Sequence, residues 1–65
     1  MGMTIKETFA DMEMQCTSIK QRVYMLRDSV RKVHLEASVE VSLIEHLDKI
    51  YREFDQFQEF CKSRS

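Results

Sequence analysis

The apolar residues in the first half of the chain alternate at spacings of four and three. They form one unbroken series: Ile5, Phe9, Met12, Cys16, Ile19, Val23, Leu26, Val30, Val33 and Ala37. An α-helix turns about 100° per residue, so these steps return to nearly the same side of the helix. With Ile5 at heptad position d, the series fills positions a and d alone. The pattern therefore predicts one long helix that packs along its length against another helix.

A second apolar stripe begins after residue 42 and is rotated by one position against the first. It consists of Leu43, Leu47, Ile50, Phe54, Phe57 and Cys61, while Ile44 and Tyr51 continue the original seam. The stretch between the two stripes, residues 37–42, is rich in β-branched residues and is a poor helix by propensity. Capping-box patterns at Thr4–Glu7 and Ser42–Glu45 mark two helix starts. These signals predict helix 1 over about 4–36, a turn over about 37–42 and helix 2 over about 43–62.

The charges of the two halves are opposite in sign. Residues 17–34 carry five basic side chains against one acid, and residues 36–61 carry seven acids against two basic side chains. A basic arm folded back on an acidic arm favours an antiparallel register. A continuous helix in a parallel dimer would instead place Arg22 against Arg27 and form no full salt bridge. We therefore predict an all-α antiparallel helical hairpin, with a single long helix in a coiled coil as the alternative.

A turn centred on residues 38–39 predicts which side chains meet across the hairpin. The expected pairs are Val33 with Ile44, Val30 with Leu47, Leu26 with Tyr51, Val23 with Phe54, Ile19 with Gln58 and Cys16 with Cys61. Helix 1 then runs three turns beyond the end of helix 2, and Ile5, Phe9 and Met12 have nothing opposite them. The face of helix 2, widened by Leu43, Ile50 and Phe57, is also too broad for one neighbour. Both features predict that hairpins dimerise into a four-helix bundle.

Size and composition support an oligomer. The chain has 65 residues, no Pro, one Gly and a net charge of −1. A chain this short buries too little surface for a robust isolated core, and its two cysteines do not make a disulfide scaffold. We interpret residues 1–3 as a cloning remnant and residues 4–65 as a single helical oligomerisation module from a larger protein. A cytoplasmic location is expected, because the sequence shows neither a signal peptide nor an apolar membrane span.

Candidate chemistry is sparse. Cys16, Cys61, His34 and His46 lack the spacing of a zinc site, and both cysteines lie on apolar stripes, where a free thiol is usually a small buried hydrophobe. Phosphate-binding and nucleophile motifs are not found. We therefore expect no enzymatic activity, no metal and no cofactor. The near-zero net charge and the acidic second arm argue against nucleic-acid and membrane partners.

The function predicted from these patterns is self-association, as a homodimer or a higher oligomer. The module would link copies of an intracellular scaffold or cytoskeletal-type protein and so raise the avidity of its other binding sites. An alternative is a heterotypic adaptor. It would bind a partner protein's helix through a second, weakly apolar surface of helix 1 that contains Met14 and Met25. A third reading is a simple coiled-coil spacer.

Overall fold

The computed structural model describes residues 2–64, which form two α-helices packed against each other as a hairpin. Helix α1 spans Ile5–Lys32 and helix α2 spans Ala37–Lys62. The predicted all-α antiparallel hairpin is confirmed, and the alternative of one continuous helix is wrong. The hairpin measures 51 × 18 × 12 Å. Met1 and Ser65, the outer ends of the predicted remnant and of the predicted module, lie outside the described residues.

Helix α1 begins with a side-chain cap. Thr4 has extended backbone angles, φ −68° and ψ 163°, and its Oγ1 accepts a hydrogen bond from the Glu7 N–H at 3.1 Å. The Thr8 N–H and hydroxyl both donate to the Thr4 carbonyl, each at 2.9 Å. These bonds satisfy donors that the first turn of a helix otherwise leaves unpaired. The predicted start of α1 at Thr4 or Ile5 is confirmed.

The connection between the helices lies at residues 33–36, about one helical turn before the predicted position. Val33 leaves the helical conformation with φ −97° and ψ 138°, while its N–H still donates to the Val30 carbonyl at 3.3 Å. The Leu35 N–H donates to the Val33 carbonyl at 3.0 Å, and the Leu35 side chain is half-buried. The predicted helix 1 over about 4–36 is thus too long at its C-terminal end. The predicted turn over about 37–42 is wrong.

Residues 37–42 are instead the first turns of α2. Helix propensities differ by at most about 0.7 kcal/mol between ordinary residues, so tertiary packing readily overrides them. Glu40 and Ile44 are half-buried, as expected for residues on the side of α2 that packs on α1. The predicted second capping box is also wrong, because Ser42 lies inside α2. Its carbonyl accepts a hydrogen bond from His46 Nδ1 at 2.7 Å.

The earlier connection makes the two helices nearly equal in length, 28 and 26 residues. The rings of Phe9 and Phe60 meet edge to face with centroids 6.1 Å apart, so the first turns of α1 lie against the end of α2. The predicted overhang of Ile5, Phe9 and Met12 is therefore wrong. Phe9 and Met12 are half-buried within the hairpin, and Ile5 alone of the three stays open, 78 % exposed.

The interior of the hairpin is thin. Among the described residues, the buried apolar side chains are Cys16, Val23 and Cys61. Half-buried apolar residues surround them: Phe9, Met12, Ile19, Val30, Ile44, Leu47 and Phe54. At the connection the predicted pairing of Val33 with Ile44 is not formed within a helical layer, because Val33 lies beyond α1 and is 56 % exposed.

Candidate interaction surface

Ion pairs join the two helices along one flank. Lys20 Nζ lies 2.8 Å from Asp55 Oδ1, and Arg27 Nη1 lies 3.1 Å from Asp48 Oδ1. Both pairs unite a basic residue of α1 with an acidic residue of α2, as the charge pattern predicts. Arg27 Nε is buried between the helices without a hydrogen-bond partner among residues 2–64. Since both pairs are partly exposed, they define the register more than they add to stability.

Gln58 extends this flank toward the end of α2. Its Nε2 donates to the Glu13 carbonyl at 3.2 Å and to Thr17 Oγ1 at 2.7 Å. Gln58 was predicted to lie opposite Ile19, and it instead reaches the polar side of α1. We call the surface formed by Thr17, Lys20, Arg27, Asp48, Asp55 and Gln58 the polar flank.

Lys20 is the centre of the polar flank. Its ammonium group also lies 5.4 Å from the centroid of the Tyr51 ring, close enough for a cation–π contact. The hydrogen bond to Asp55 raises the pKa of Lys20 above its ordinary 10.5, and the desolvation of the side chain opposes this rise only in part. Lys20 is therefore charged throughout the neutral range and holds both Asp55 and Tyr51 of α2.

Helical geometry places two further apolar residues of α1 on the other flank. Val23 is buried at the centre of the interface. At about 100° per residue, Lys20 and Arg27 lie about 40–60° to one side of Val23, and Ile19 and Leu26 lie about 40–60° to the other side. Since Lys20 and Arg27 contact α2 on the polar flank, Ile19 and Leu26 face the opposite one.

The same construction applies to α2, where Phe54 takes the central place. Gln58 and Tyr51 lie about 40–60° to the side of the polar flank, and Ile50 and Phe57 lie about 40–60° to the other side. When two neighbouring helices are antiparallel, residues that are displaced from the centre of the interface by the same angle and in the same rotational sense lie on the same flank. The second flank is therefore apolar on both helices. We call the surface formed by Met12, Ile19, Leu26, Leu43, Ile50 and Phe57 the apolar strip.

Much of the apolar strip is uncovered in the single hairpin. Leu26 is 56 % exposed, and Leu43, Ile50 and Phe57 are each about 40 % exposed. Met12 and Ile19 are half-buried. Large apolar side chains that stand alone on a surface are ordinary, but a continuous row on two adjacent helices is typical of an interaction surface.

Two buried thiols lie toward the open end of the hairpin. Cys16 and Cys61 are free cysteines with 2 % and 0 % exposure. Burial is the main cause of a raised pKa at the Cys16 thiol, and the nearby Cys61 adds to the rise. Lys20 opposes the rise in part. At neutral pH the Cys16 thiol is therefore protonated and packs as an apolar group.

The outer side of α1 carries a separate apolar area. Met14, Tyr24 and Met25 are each more than 60 % exposed. Tyr24 and Met25 line an open groove of about 480 Å³, which continues past Lys20 to Tyr51 of α2. This groove adjoins the polar flank, so it is distinct from the apolar strip.

The predicted interface residues divide into two groups in the structure. The hairpin itself covers, fully or in part, Phe9, Met12, Cys16, Ile19, Val23, Val30, Ile44, Leu47 and Phe54. It leaves exposed Ile5, Leu26, Val33, Leu43, Ile50, Tyr51 and Phe57. The predicted pairing of Leu26 with Tyr51 is not formed on one flank, since Tyr51 faces Lys20 on the polar side.

The sequence prediction paired the basic arm with the acidic arm but did not single out the individual ion pairs of the polar flank. Lys20 and Arg27 are seven residues apart, and so are Asp48 and Asp55. The signal that identifies this flank is a pair of basic residues seven apart on α1 and a pair of acidic residues seven apart on α2. Heptad spacing keeps the two members of each pair on one side of their helix.

Within residues 2–64, His, Cys, Asp and Glu side chains form no group of three or more that could hold a metal ion. Neither described helix combines the length and apolar character needed to cross a membrane. The chain matches no protein-family model, no curated protein and no solved structure.

Proposed function

We propose that this chain is a self-association module, which joins copies of the protein that carries it by pairing helical hairpins. The apolar strip carries this proposal. The hairpin buries only Cys16, Val23 and Cys61 among its described residues, yet it presents a continuous apolar row on one flank. A short chain with a thin interior and an uncovered apolar surface gains most of its remaining stabilisation from a partner.

The energetics of the strip support a pairing of moderate strength. Full burial of one large apolar side chain contributes about 1.5–3 kcal/mol. Four residues of the strip, Leu26, Leu43, Ile50 and Phe57, are roughly half exposed, so each can gain about half of that value in each subunit. Association costs at least about 4 kcal/mol in lost translational and rotational freedom. The gain exceeds the lower bound of this cost, so burial of the strip is large enough to support a weak, reversible pair.

The proposed contact differs from the one that the sequence alone predicted. The sequence placed it at the start of helix 1, where Ile5, Phe9 and Met12 were expected to have nothing opposite. Phe9 now packs on Phe60 of the same chain. Support for self-association therefore moves from the end of the hairpin to its flank.

The test is the mass of the intact chain, measured by sedimentation equilibrium across a wide range of concentrations. We expect a reversible oligomer whose helicity falls as it dissociates. The double substitution Leu26→Gln/Ile50→Gln should weaken association by at least about tenfold, because it places polar groups in the apolar strip. Met14→Gln/Met25→Gln, on the outer side of α1, is the matched control and should leave association unchanged. A stably folded monomer at every concentration would contradict the proposal.

A second candidate function is that of a heterotypic adaptor. The groove beside Tyr24, Met25 and Tyr51 favours it, because an open apolar groove rimmed by Lys20 suits an amphipathic partner helix with acidic residues. The control substitutions Met14→Gln/Met25→Gln also distinguish the two functions. Loss of binding to a partner on Met14→Gln/Met25→Gln, with an unchanged homo-oligomer, would assign the groove to a different protein.

A further inference from the structure

We propose that the groove beside Tyr24, Met25 and Tyr51 binds an acidic amphipathic helix of a different protein. This inference rests on the second candidate function and specifies the chemistry of the partner. It does not depend on the pairing of hairpins through the apolar strip, because the groove adjoins the polar flank.

The groove is lined by residue types that are typical of protein interfaces. Tyr24 and Met25 of α1 are 64 % and 67 % exposed, and Tyr51 of α2 is 37 % exposed. Tyr, Met and Arg are enriched where proteins meet, whereas Lys, Glu and Asp are depleted. Tyrosine rings supply large contact areas at a low cost in side-chain freedom, and methionine adapts to the shape of a partner. The groove therefore offers an apolar contact surface that the single hairpin leaves open.

The α1 side of the groove follows a helical seam. Thr17, Gln21 and Tyr24 lie at spacings of four and three, and Met14 precedes Thr17 by three. Met14 is 72 % exposed, so the open seam runs for about 15 Å along α1. An elongated surface of this kind fits a partner helix that presents apolar side chains at spacings of three and four.

Two arginines beside the groove carry unpaired positive charge. Arg31 lines a small hollow that shares Tyr24 with the groove, and Arg22 lines a broader hollow that shares Met25 with it. Both arginines are exposed. Within residues 2–64, neither arginine forms an ion pair.

The other charges of this surface largely cancel. Three further basic residues each have an acidic partner within 3.1 Å: Lys20 with Asp55, Arg27 with Asp48 and Lys32 with Asp28. The uncompensated charge is therefore positive and lies on Arg22 and Arg31, which are about 14 Å apart along α1. A partner helix with carboxylates on both margins of its apolar face complements this charge, and such complementarity determines which partner is selected.

A second copy of this chain does not offer such a helix. On the outer side of α2 the acidic residues lie among Lys49 and Arg52, so this side carries mixed charge. The apolar strip of a second copy is already covered under the proposed self-association. A strip seated in a groove would also leave a new strip and a new groove open at every step, which produces filaments rather than a closed pair. We therefore assign the groove to another protein.

Two synthetic peptides test this assignment. Each has about 18 residues, enough to form a helix, with leucines at spacings of three and four on one face. One peptide carries glutamates on both margins of that face, and the other carries lysines there. Fluorescence anisotropy measures the binding of each labelled peptide to the intact chain. We expect the acidic peptide to bind at least about tenfold more tightly than the basic one, and the difference to shrink in high salt.

Substitutions assign the preference to the groove and its arginines. Met14→Gln/Met25→Gln should weaken binding of the acidic peptide several-fold and leave the homo-oligomer unchanged. Arg22→Glu/Arg31→Glu should reverse the preference, so that the basic peptide binds more tightly. A misfolded chain does not produce this gain of binding. Lys49→Glu/Arg52→Glu makes the same charge change on the outer side of α2 and is the matched control, which should keep the preference of the parent chain.

Other outcomes overturn the inference and are distinguishable from a failure of the proposed function. Equal binding of the two peptides, or binding of neither at millimolar concentration, would overturn it and leave the self-association intact. A reversed preference in the control would show a general effect of net charge and would also overturn it. Filaments that disappear in Met14→Gln/Met25→Gln would assign the groove to a second copy. A chain that stays monomeric and still binds the acidic peptide would remove the self-association and support this inference.

Discussion

Cys16 of α1 and Cys61 of α2 are the two least exposed side chains of the hairpin, and each is a free thiol. The pKa of Cys16 is raised mainly by burial, and the electrostatic effect of the nearby Cys61 adds to this rise. The core thus contains, at Cys16, a group that becomes charged at high pH. Ionisation of Cys16 at high pH would therefore place a charge at one of the two most buried positions among the described residues.

The first prediction concerns alkaline pH. The pKa of Cys16 lies above its ordinary 9.0 in the folded chain, so its contribution to stability is complete below pH 9.0 and is lost as the pH rises through the folded value. We expect the free energy of unfolding to fall with pH in that range. Urea unfolding followed by circular dichroism from pH 7 to pH 10, at one protein concentration, measures this slope. An unaltered slope in Cys16→Ala would show that other groups cause the loss.

The second prediction concerns oxidation. Glutathione disulfide should join the two thiols into one intrachain disulfide, with two glutathione molecules released in reduced form and each cysteine giving up its proton. Because both sulfurs are buried, the reaction in native protein should be much slower than in urea. Mass spectrometry of peptides under non-reducing conditions detects the link. Disulfides found between chains alone would contradict the inferred proximity of Cys16 and Cys61.

The third prediction concerns the ion pair between Lys20 and Asp55. A double-mutant cycle with Lys20→Met and Asp55→Asn should give a coupling of about 0.2–1 kcal/mol, since the pair is partly exposed. The same cycle on Asp28 and Lys32, a pair within α1, serves as the comparison. Both couplings should shrink in high salt. An absent coupling at low salt would indicate that Lys20 acts through Tyr51 instead.

The fourth prediction concerns the helix caps. Thr4→Ala should lower the free energy of unfolding by about 1 kcal/mol, because it removes the acceptor for the Glu7 N–H. Glu36, the N-cap residue of α2, makes no capping hydrogen bond with its side chain. Glu36→Asp should therefore raise stability by about 0.5–1 kcal/mol. Thermal unfolding measures both changes, and Glu45→Asp within α2 is the matched control. A destabilised Glu36→Asp chain would contradict the cap assignment.

The sequence predicted the hairpin because its two strongest signals, heptad spacing and opposite charge on the two arms, are local and survive small errors of register. It misplaced the connection because residues 33–36 contain neither Gly nor Pro and are anchored by the apolar Leu35. The β-branched run that resembled a turn became helix once Glu40 and Ile44 could pack on α1. Packing of that kind depends on contacts between distant residues, which propensity does not contain.

The sequence alone also did not show which flank of α1 packs against α2. Ile19 and Lys20 lie at nearly equal angles on either side of the buried core, so heptad position alone does not decide which one crosses to α2. Hydrophobicity favours Ile19. The structure closes the side of Lys20, because Asp55 and Tyr51 both stand opposite its ammonium group. The apolar side remains open as a result, and this opening is the basis of the proposed function.

Under the proposed pairing, the folded fraction of this chain should depend on its abundance, because the described residues bury only three side chains within one hairpin. Most of the available stabilisation lies between copies under the proposed pairing, so the melting temperature should rise with protein concentration, as it does for obligate dimers. At protein concentrations below the dissociation constant, the separated hairpins would open locally. Their amide protons would then exchange with solvent protons as rapidly as in other locally unfolded segments. A cell that makes little of the protein would hold loose helices exposed to proteases, and one that makes more would hold rigid rods. Because the interior of one hairpin is thin, a stably folded rod would require a protein concentration above the dissociation constant of the proposed pairing.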